Sequence, residues 1–294
     1  MLSLANYVMR GPTQAWISVA LLALLTVWLT PLGLLLGAVI GLVTLRVGVA
    51  DGLKTALIAA FVILSVHQLA MGQVAPGLVA LLEFVLPAWV LAWALRQTQA
   101  LETPIHLAAI LIGFALVVFH LMVPDPTQWW QSVMQDYLAP VMQQAGSELP
   151  QQTLQNLAQL ATLLLGMFVM VLWVSLVLLA RWWQSALYYP GKFQAAFHQL
   201  RLPTSLGMMA ALTAVGSLLT QSALVQDLAG VLMVAMMFQG LAILHHAVTL
   251  KQLNKAWLIG TYVLLMLFPQ VLLIIATIGL VDIWMDIRNR WTQA

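Results

Sequence analysis

The chain reads as an all-α polytopic membrane protein, a transmembrane bundle of about nine spans, and three observations predict it. Of its 294 residues, 63% are apolar and only 7% are charged, against roughly a quarter charged in an ordinary soluble domain. The apolar residues run in long stretches instead of alternating. In hydrocarbon only a helix can satisfy its backbone within one such stretch, whereas a barrel strand would alternate polar and apolar positions. Finally, most of the eleven Lys and Arg residues fall in alternate loops, the pattern that the positive-inside rule gives a multi-pass chain.

Taken in order, hydropathy predicts spans at residues 14–30, 31–45, 51–69, 75–95, 104–122, 157–180, 206–219, 227–248 and 256–281. Residues 1–294 then form a single integral membrane domain with no room for a separate soluble one. Arg10 precedes the first span, and no small-residue cleavage pattern ends it, so it is expected to stay as an anchor. A cytoplasmic N-terminus puts Arg10, Arg46, Lys54, Arg96, Arg181, Lys192, Arg201, Lys251 and Lys255 on one side. The opposite loops hold Asp125, Asp136, Glu148 and Asp227 without a Lys or Arg. Nine spans leave the C-terminus outside with Arg288 and Arg290, against the charge rule. A break at Pro269 would bring it back inside, although each half is short for a crossing.

Two segments suit the interface more than the core. In residues 127–145, Trp130, Val133, Met134, Tyr137, Leu138 and Val141 recur at helical spacing among polar residues, as in a helix lying on the outer leaflet. In residues 183–203, Lys192 and Arg201 flank a stripe of Phe193, Ala196, Phe197 and Leu200, following Trp182, Trp183, Tyr188 and Tyr189. Aromatic and basic clustering of this kind matches the headgroup region. With Arg181, Lys192 and Arg201 it also offers a cytoplasmic surface for a protein partner.

The residue with most chemical promise is Glu83, near the middle of the fourth span, where a bare carboxylate costs several kcal/mol. It must be protonated, paired or hydrated. Pro87, four residues on, removes the N–H that would bond the Glu83 carbonyl, a place for the helix to bend and open a polar pocket. Gln239, Gln270 and Thr213 sit at comparable depth in their spans and are candidates to converge with Glu83 on a solute, as in midplane transporter sites. Interhelical packing is the competing role for each of them. His67 and His120 end their spans on the outer side, where Gln68, Gln73 and Asp125 would make a polar vestibule. His245 and His246, being adjacent, point about 100° apart on a helix and cannot form a one-face ligand pair. Gly33, Gly37 and Gly41 make overlapping GxxxG units that allow close approach of a neighbouring helix, within the chain or on a partner.

Other chemistry is excluded or unsupported. With no cysteine there are no disulfides, thiolate metal sites or cysteine nucleophiles. No metal spacing, phosphate loop, nucleophile elbow or paired-carboxylate pattern occurs, so no enzyme, cofactor or metal is expected. Eleven basic residues used for topology leave no nucleic-acid patch.

Four local patterns carry a family resemblance: Leu45, Arg46 and Gly48; Leu86, Pro87 and Trp89 with Arg96; Tyr189, Pro190, Gly191 and Phe193 leading to Leu200, Arg201, Leu202 and Pro203; and Gly279, Leu280, Asp282, Trp284 and Arg288. Together they resemble the YybS-like family of bacterial membrane proteins of unknown function. That family is similar in fold to the S components of energy-coupling-factor vitamin transporters and to the rod-shape protein MreD. The resemblance implies a bacterial cytoplasmic membrane protein that binds a small molecule or couples to a partner. Ala15, Ala20 and Ala23 do not give the AxxxA spacing that S components often carry in their first helix. The expected function is binding or moving a small solute around Glu83. The alternative is a membrane scaffold recruiting envelope or cytoplasmic partners.

Overall fold

The computed structural model describes the backbone at residues 1–144 and 150–293 and the side chains at 1–137 and 150–291. Leu138 and Val141 of the amphipathic stripe, and Glu148, lie outside the described side chains. Every described element is helical. They are α1 (Leu2–Val8), α2 (Pro12–Thr26), a 3-10 turn (Thr30–Leu32), α3 (Gly33–Arg46), α4 (Val49–Met71), α5 (Ala75–Ala80), a π-turn (Leu81–Val85) and α6 (Leu86–Thr98). There follow α7 (Glu102–Met122), α8 (Pro126–Gln144), α9 (Gln151–Tyr188), α10 (Lys192–His198), α11 (Thr204–Leu219), α12 (Ala223–Leu250), α13 (Ala256–Leu267), α14 (Gln270–Met285) and α15 (Ile287–Gln293).

Among the described residues, five helical segments are long and apolar enough to cross a bilayer: Val49–Met71, Ala75–Thr98, Glu102–Met122, Gln151–Tyr188 and Ala223–Leu250. Five shorter apolar helices, α2, the 3-10 turn with α3, α11, α13 and α14, accompany them. The segment read as one ninth span at 256–281 is two helices. Pro269 lacks an amide hydrogen and disfavours helical geometry at Phe268, so α13 stops at Leu267 and α14 starts at Gln270. The segment read as a span at 157–180 is longer than that at both ends. It starts at Gln151 and continues through Arg181 and its aromatic neighbours to Tyr188, because no helix breaker occurs before Pro190. At 38 residues and 1.5 Å per residue it is about 57 Å long.

The chain forms two compact units. Unit 1 is Met1–Ala108, Val171–Leu202 and Ala242–Leu258; unit 2 is Ala109–Met170, Pro203–Leu241 and Ile259–Ala294. Unit 1 holds nine of the eleven Lys and Arg residues and three of the nine Asp and Glu residues, whereas unit 2 holds Arg288, Arg290 and the other six acids.

Unit 1 is built around α3. Its 14 residues would measure about 21 Å, less than the roughly 30 Å hydrocarbon thickness, and every residue from Leu36 to Leu45 is buried. A helix apolar all round belongs in a core. Helices α2, α4 and α6 pack on it, and Leu36, Ile40, Ile63, Phe84, Leu176 and Trp183 form the centre of the cluster. In unit 2, small residues again set the contacts. Gly166 meets Val231, Gly230 meets Leu163 and Met167, and Gly207 meets Ile283. The tightest approach is between α12 and α14, where Gly240 faces the Ile275 carbonyl and Gly279 faces the Met236 carbonyl.

Candidate functional site

Glu83 lies in the π-turn, the widened segment that joins α5 to α6 within the bilayer-length run Ala75–Thr98. Pro87 explains it. In an α-helix the Glu83 carbonyl would need the missing Pro87 N–H, and the proline ring would press on that carbonyl. A register one residue wider relieves both, and the Leu86 N–H accordingly bonds the Leu81 carbonyl. The sequence-predicted distortion at this proline is therefore present, as a π-turn. Phe84, Val85, Pro87 and Ala88 are buried against unit 1, while Leu82 and Leu86 are exposed. Glu83 itself is half-buried, and its carboxyl has no hydrogen bond or ion pair among the described residues.

The glycine stripe of α3 is filled from within the unit. A β-carbon at Gly33 would lie 2.6 Å from the Phe84 ring, at Gly37 2.6 Å from Leu176, and at Gly41 2.8 Å from the Ala180 β-carbon. The close approach expected of GxxxG thus brings α3 onto the π-turn, α6 and α9, and seats Phe84 beside Glu83.

Three of the four family-like patterns meet at the C-terminal end of α3. The Arg96 guanidinium donates to the Thr44 and Leu45 carbonyls at 3.0 and 2.7 Å, and the Gln184 amide donates to the Leu45 carbonyl at 3.2 Å. These carbonyls have no partner within the helix, and a cation there complements its dipole. Arg46 stacks over Tyr188, 4.0 Å from the ring centre, and donates to the Tyr189 hydroxyl at 3.2 Å. Lys192 lies 4.9 Å from the Tyr189 ring centre, and Arg181 donates to Gln184. The turn that makes this possible needs glycine: Gly191 has φ +84°. Ser185 ties the turn together, donating to the Tyr189 carbonyl and accepting from the Phe193 N–H. Arg201 is exposed further along.

Beyond the turn, α10 rests on α12 through Phe197 against His245, with His198 ring to ring with His246 at 5.8 Å and His245 at 6.4 Å. Burial, and then the neighbouring His246 and His245 imidazoles, hold His198 below the ordinary imidazole range. The folded state binds fewer protons here than the unfolded chain. Its stability contribution is full above about pH 6.5 and is lost as pH falls below it. Amide exchange in residues 192–202, corrected for intrinsic rate, is therefore expected to be faster at acid than at neutral pH, with His198→Gln reducing the difference. Equal protection at both pH values would contradict this.

Of the midplane candidates, Gln239 has the clearest polar role. It is fully buried and donates to Asp282 Oδ2 at 3.0 Å. The same oxygen accepts from Arg288 at 2.8 Å, and Oδ1 accepts from the Ile287 N–H at 2.9 Å. Asp286, at φ +47°, ends α14 in the left-handed conformation that turns the chain back for these contacts. Arg288, counted in the sequence as a topology charge, is thus committed to a buried ion pair. Thr213 donates to the Met209 and Ala210 carbonyls of its own helix, and Gln270 is exposed. Those three residues belong to unit 2 and Glu83 to unit 1. His67 is buried in unit 1 with Nδ1 on the Ile63 carbonyl.

A cavity of about 380 Å³ lies in unit 1 among Met9, Pro12, Trp16, Val43, Asp51 and Thr55. No sequence pattern marks it.

Residues 17–283 match a family described as predicted membrane protein (DUF2232). No curated protein and no solved structure matches the chain.

Proposed function

Since the chain belongs to the DUF2232 family of predicted membrane proteins, we propose that it is a multi-pass protein of the bacterial cytoplasmic membrane that binds or moves a small solute at Glu83. The observation that carries the reading is a carboxyl group in a bilayer-length helix, on a π-turn, with no protein partner among the described residues. Intramembrane carboxyls are costly and are retained where they bind something. π-Turns recur at functional sites. Without an internal cation or amide, the counterpart of Glu83 is a proton, water or a solute bearing a hydrogen-bond donor or positive charge.

The proposal includes about nine crossings with a cytoplasmic N-terminus, the arrangement in which the basic residues share one side. The resemblance to S components favours binding over catalysis, and no enzyme activity or cofactor is part of it. The scaffold alternative has less support. Arg46, Arg96, Arg181 and Lys192 at the basic end already serve carbonyls, an amide and tyrosine rings of their own chain.

The test is mass spectrometry of small molecules that co-purify in mild detergent. The wild type is expected to carry a bound species that Glu83→Gln loses by roughly 10-fold or more, the value of a hydrogen bond to a charged group. An identical complement in both would defeat the solute reading. Loss of a protein partner on Lys192→Ala with Arg201→Ala, alongside that result, would favour the scaffold.

A further inference from the structure

In unit 2, α7 and α12 bring two titratable side chains to one buried spot. His120 Nε2 lies 3.3 Å from Asp227 Oδ2, with the side chains 12% and 6% exposed. Neither atom has another hydrogen-bond partner. The other ring nitrogen settles the protonation. His120 Nδ1 is 3.0 Å from the Leu116 carbonyl, and a carbonyl only accepts, so Nδ1 carries a hydrogen. In a neutral ring Nε2 is then a bare acceptor, facing a carboxylate oxygen that is also only an acceptor. Two lone pairs opposed in a buried place are unfavourable, and one proton between them removes the conflict.

Among the described residues the surroundings add no competing charge. Helix α8 contributes Trp129, edge-on to Phe119, and Trp130, which donates to Thr162 of α9. Helix α11 carries no titratable side chain. Asp125 caps α8 through the Gln128 N–H at 2.9 Å, Asp136 is exposed, and Asp282 is held by Gln239 and Arg288. The remaining titratable groups of α7 and α12, Glu102, His106, His245 and His246, lie toward the opposite ends of those helices. His120 is two residues from the end of α7, and Asp227 is in the second turn of α12. The pair therefore sits near helix ends, within reach of water.

We propose that His120 and Asp227 form a proton-binding site that holds one proton jointly at neutral pH and takes a second from water in acid. The first proton makes the pair neutral overall, whether it rests on nitrogen or oxygen. The second comes from hydronium, which leaves as water. The products are an imidazolium and a carboxylic acid, with one net positive charge and no shared proton, so the link between α7 and α12 is weakened. This goes beyond solute binding at Glu83 and does not depend on it.

The experiment uses the full chain in detergent micelles. Histidine ring nitrogens are followed by NMR through a pH titration, the His120 signal being identified by its loss in His120→Gln. Carboxyl protonation is followed by infrared difference spectra. The expected result is a His120 midpoint in the wild type displaced by about one pH unit or more from that in Asp227→Asn. A carboxylic-acid band should also appear in acid, be absent from Asp227→Asn and move in His120→Gln. His120 titrating alike with and without Asp227 would overturn the proposal. Should Asp227→Asn not fold, the infrared comparison of the wild type with His120→Gln decides alone, and an unmoved carboxyl titration overturns it.

Discussion

Arg288→Ala is expected to lower the stability of unit 2 by about 3–5 kcal/mol, the cost of leaving one member of a buried ion pair unpaired. Asp282 is fully buried, and Arg288 pairs with it at 2.8 Å. After truncation Gln239 and the Ile287 N–H still donate to the carboxylate, but a neutral amide and a backbone group do not compensate its charge. Removing both ions is a smaller loss. Asp282→Leu with Arg288→Met leaves no charge behind, and apolar replacement of a buried pair is often close to neutral. Thermal unfolding in detergent should therefore show a large fall for Arg288→Ala and substantial recovery in the double variant. An unchanged midpoint in Arg288→Ala would mean that the pair does not hold α14 and α15 in place.

Gly279→Ala and Gly240→Ala are expected to cost about 2–3 kcal/mol each, toward the upper end of overpacking effects. An added β-carbon at Gly279 would lie 2.1 Å from the Met236 carbonyl oxygen, and one at Gly240 2.0 Å from that of Ile275. Both obstacles are backbone, so α12 and α14 must separate. Separation also stretches the 3.0 Å bond between Gln239 and Asp282, and thus one methyl group acts on packing and on the polar network together. The two substitutions share one interface and should combine less than additively. Gly260→Ala is the control. Nothing lies within 4 Å of its β-carbon position, and alanine is the better helix former. Equal midpoints for Gly260→Ala and Gly279→Ala would contradict the close contact.

The π-turn was foreseeable as a distortion because its cause is local: Pro87 stands four residues after Glu83, and no tertiary contact is needed to deprive that carbonyl of its donor. The glycine stripe of α3 was legible for the same reason, since i, i+4 spacing places Gly33, Gly37 and Gly41 on one face. Gly240 and Gly279 form no such motif. Gly279 is single on α14 and Gly240 stands ten residues from Gly230 on α12, and only their meeting across α12 and α14 gives them a role. Arg288 reads from the sequence as a topology charge because hydropathy treats each charge as solvated, and the left-handed turn at Asp286 that brings it to Asp282 is not marked by glycine. Gln239 was found by its depth, but its partner was not. His120 and Asp227 were each placed near an outer helix end, yet 107 residues of sequence separation hid their pairing. The boundary of α9 slipped because a hydropathy window stops at Arg181, whereas a helix stops at a breaker.

On the π-turn of a bilayer-length helix, Glu83 is expected to be open to water or solute. The absence of cysteine from the chain permits a direct measurement, in membranes, of the reaction of Glu83→Cys and of its exposed apolar neighbour Leu82→Cys with a water-borne thiol reagent. Rapid modification of Glu83→Cys and little of Leu82→Cys is the expected result. No modification of Glu83→Cys, or equal modification of both, would contradict it.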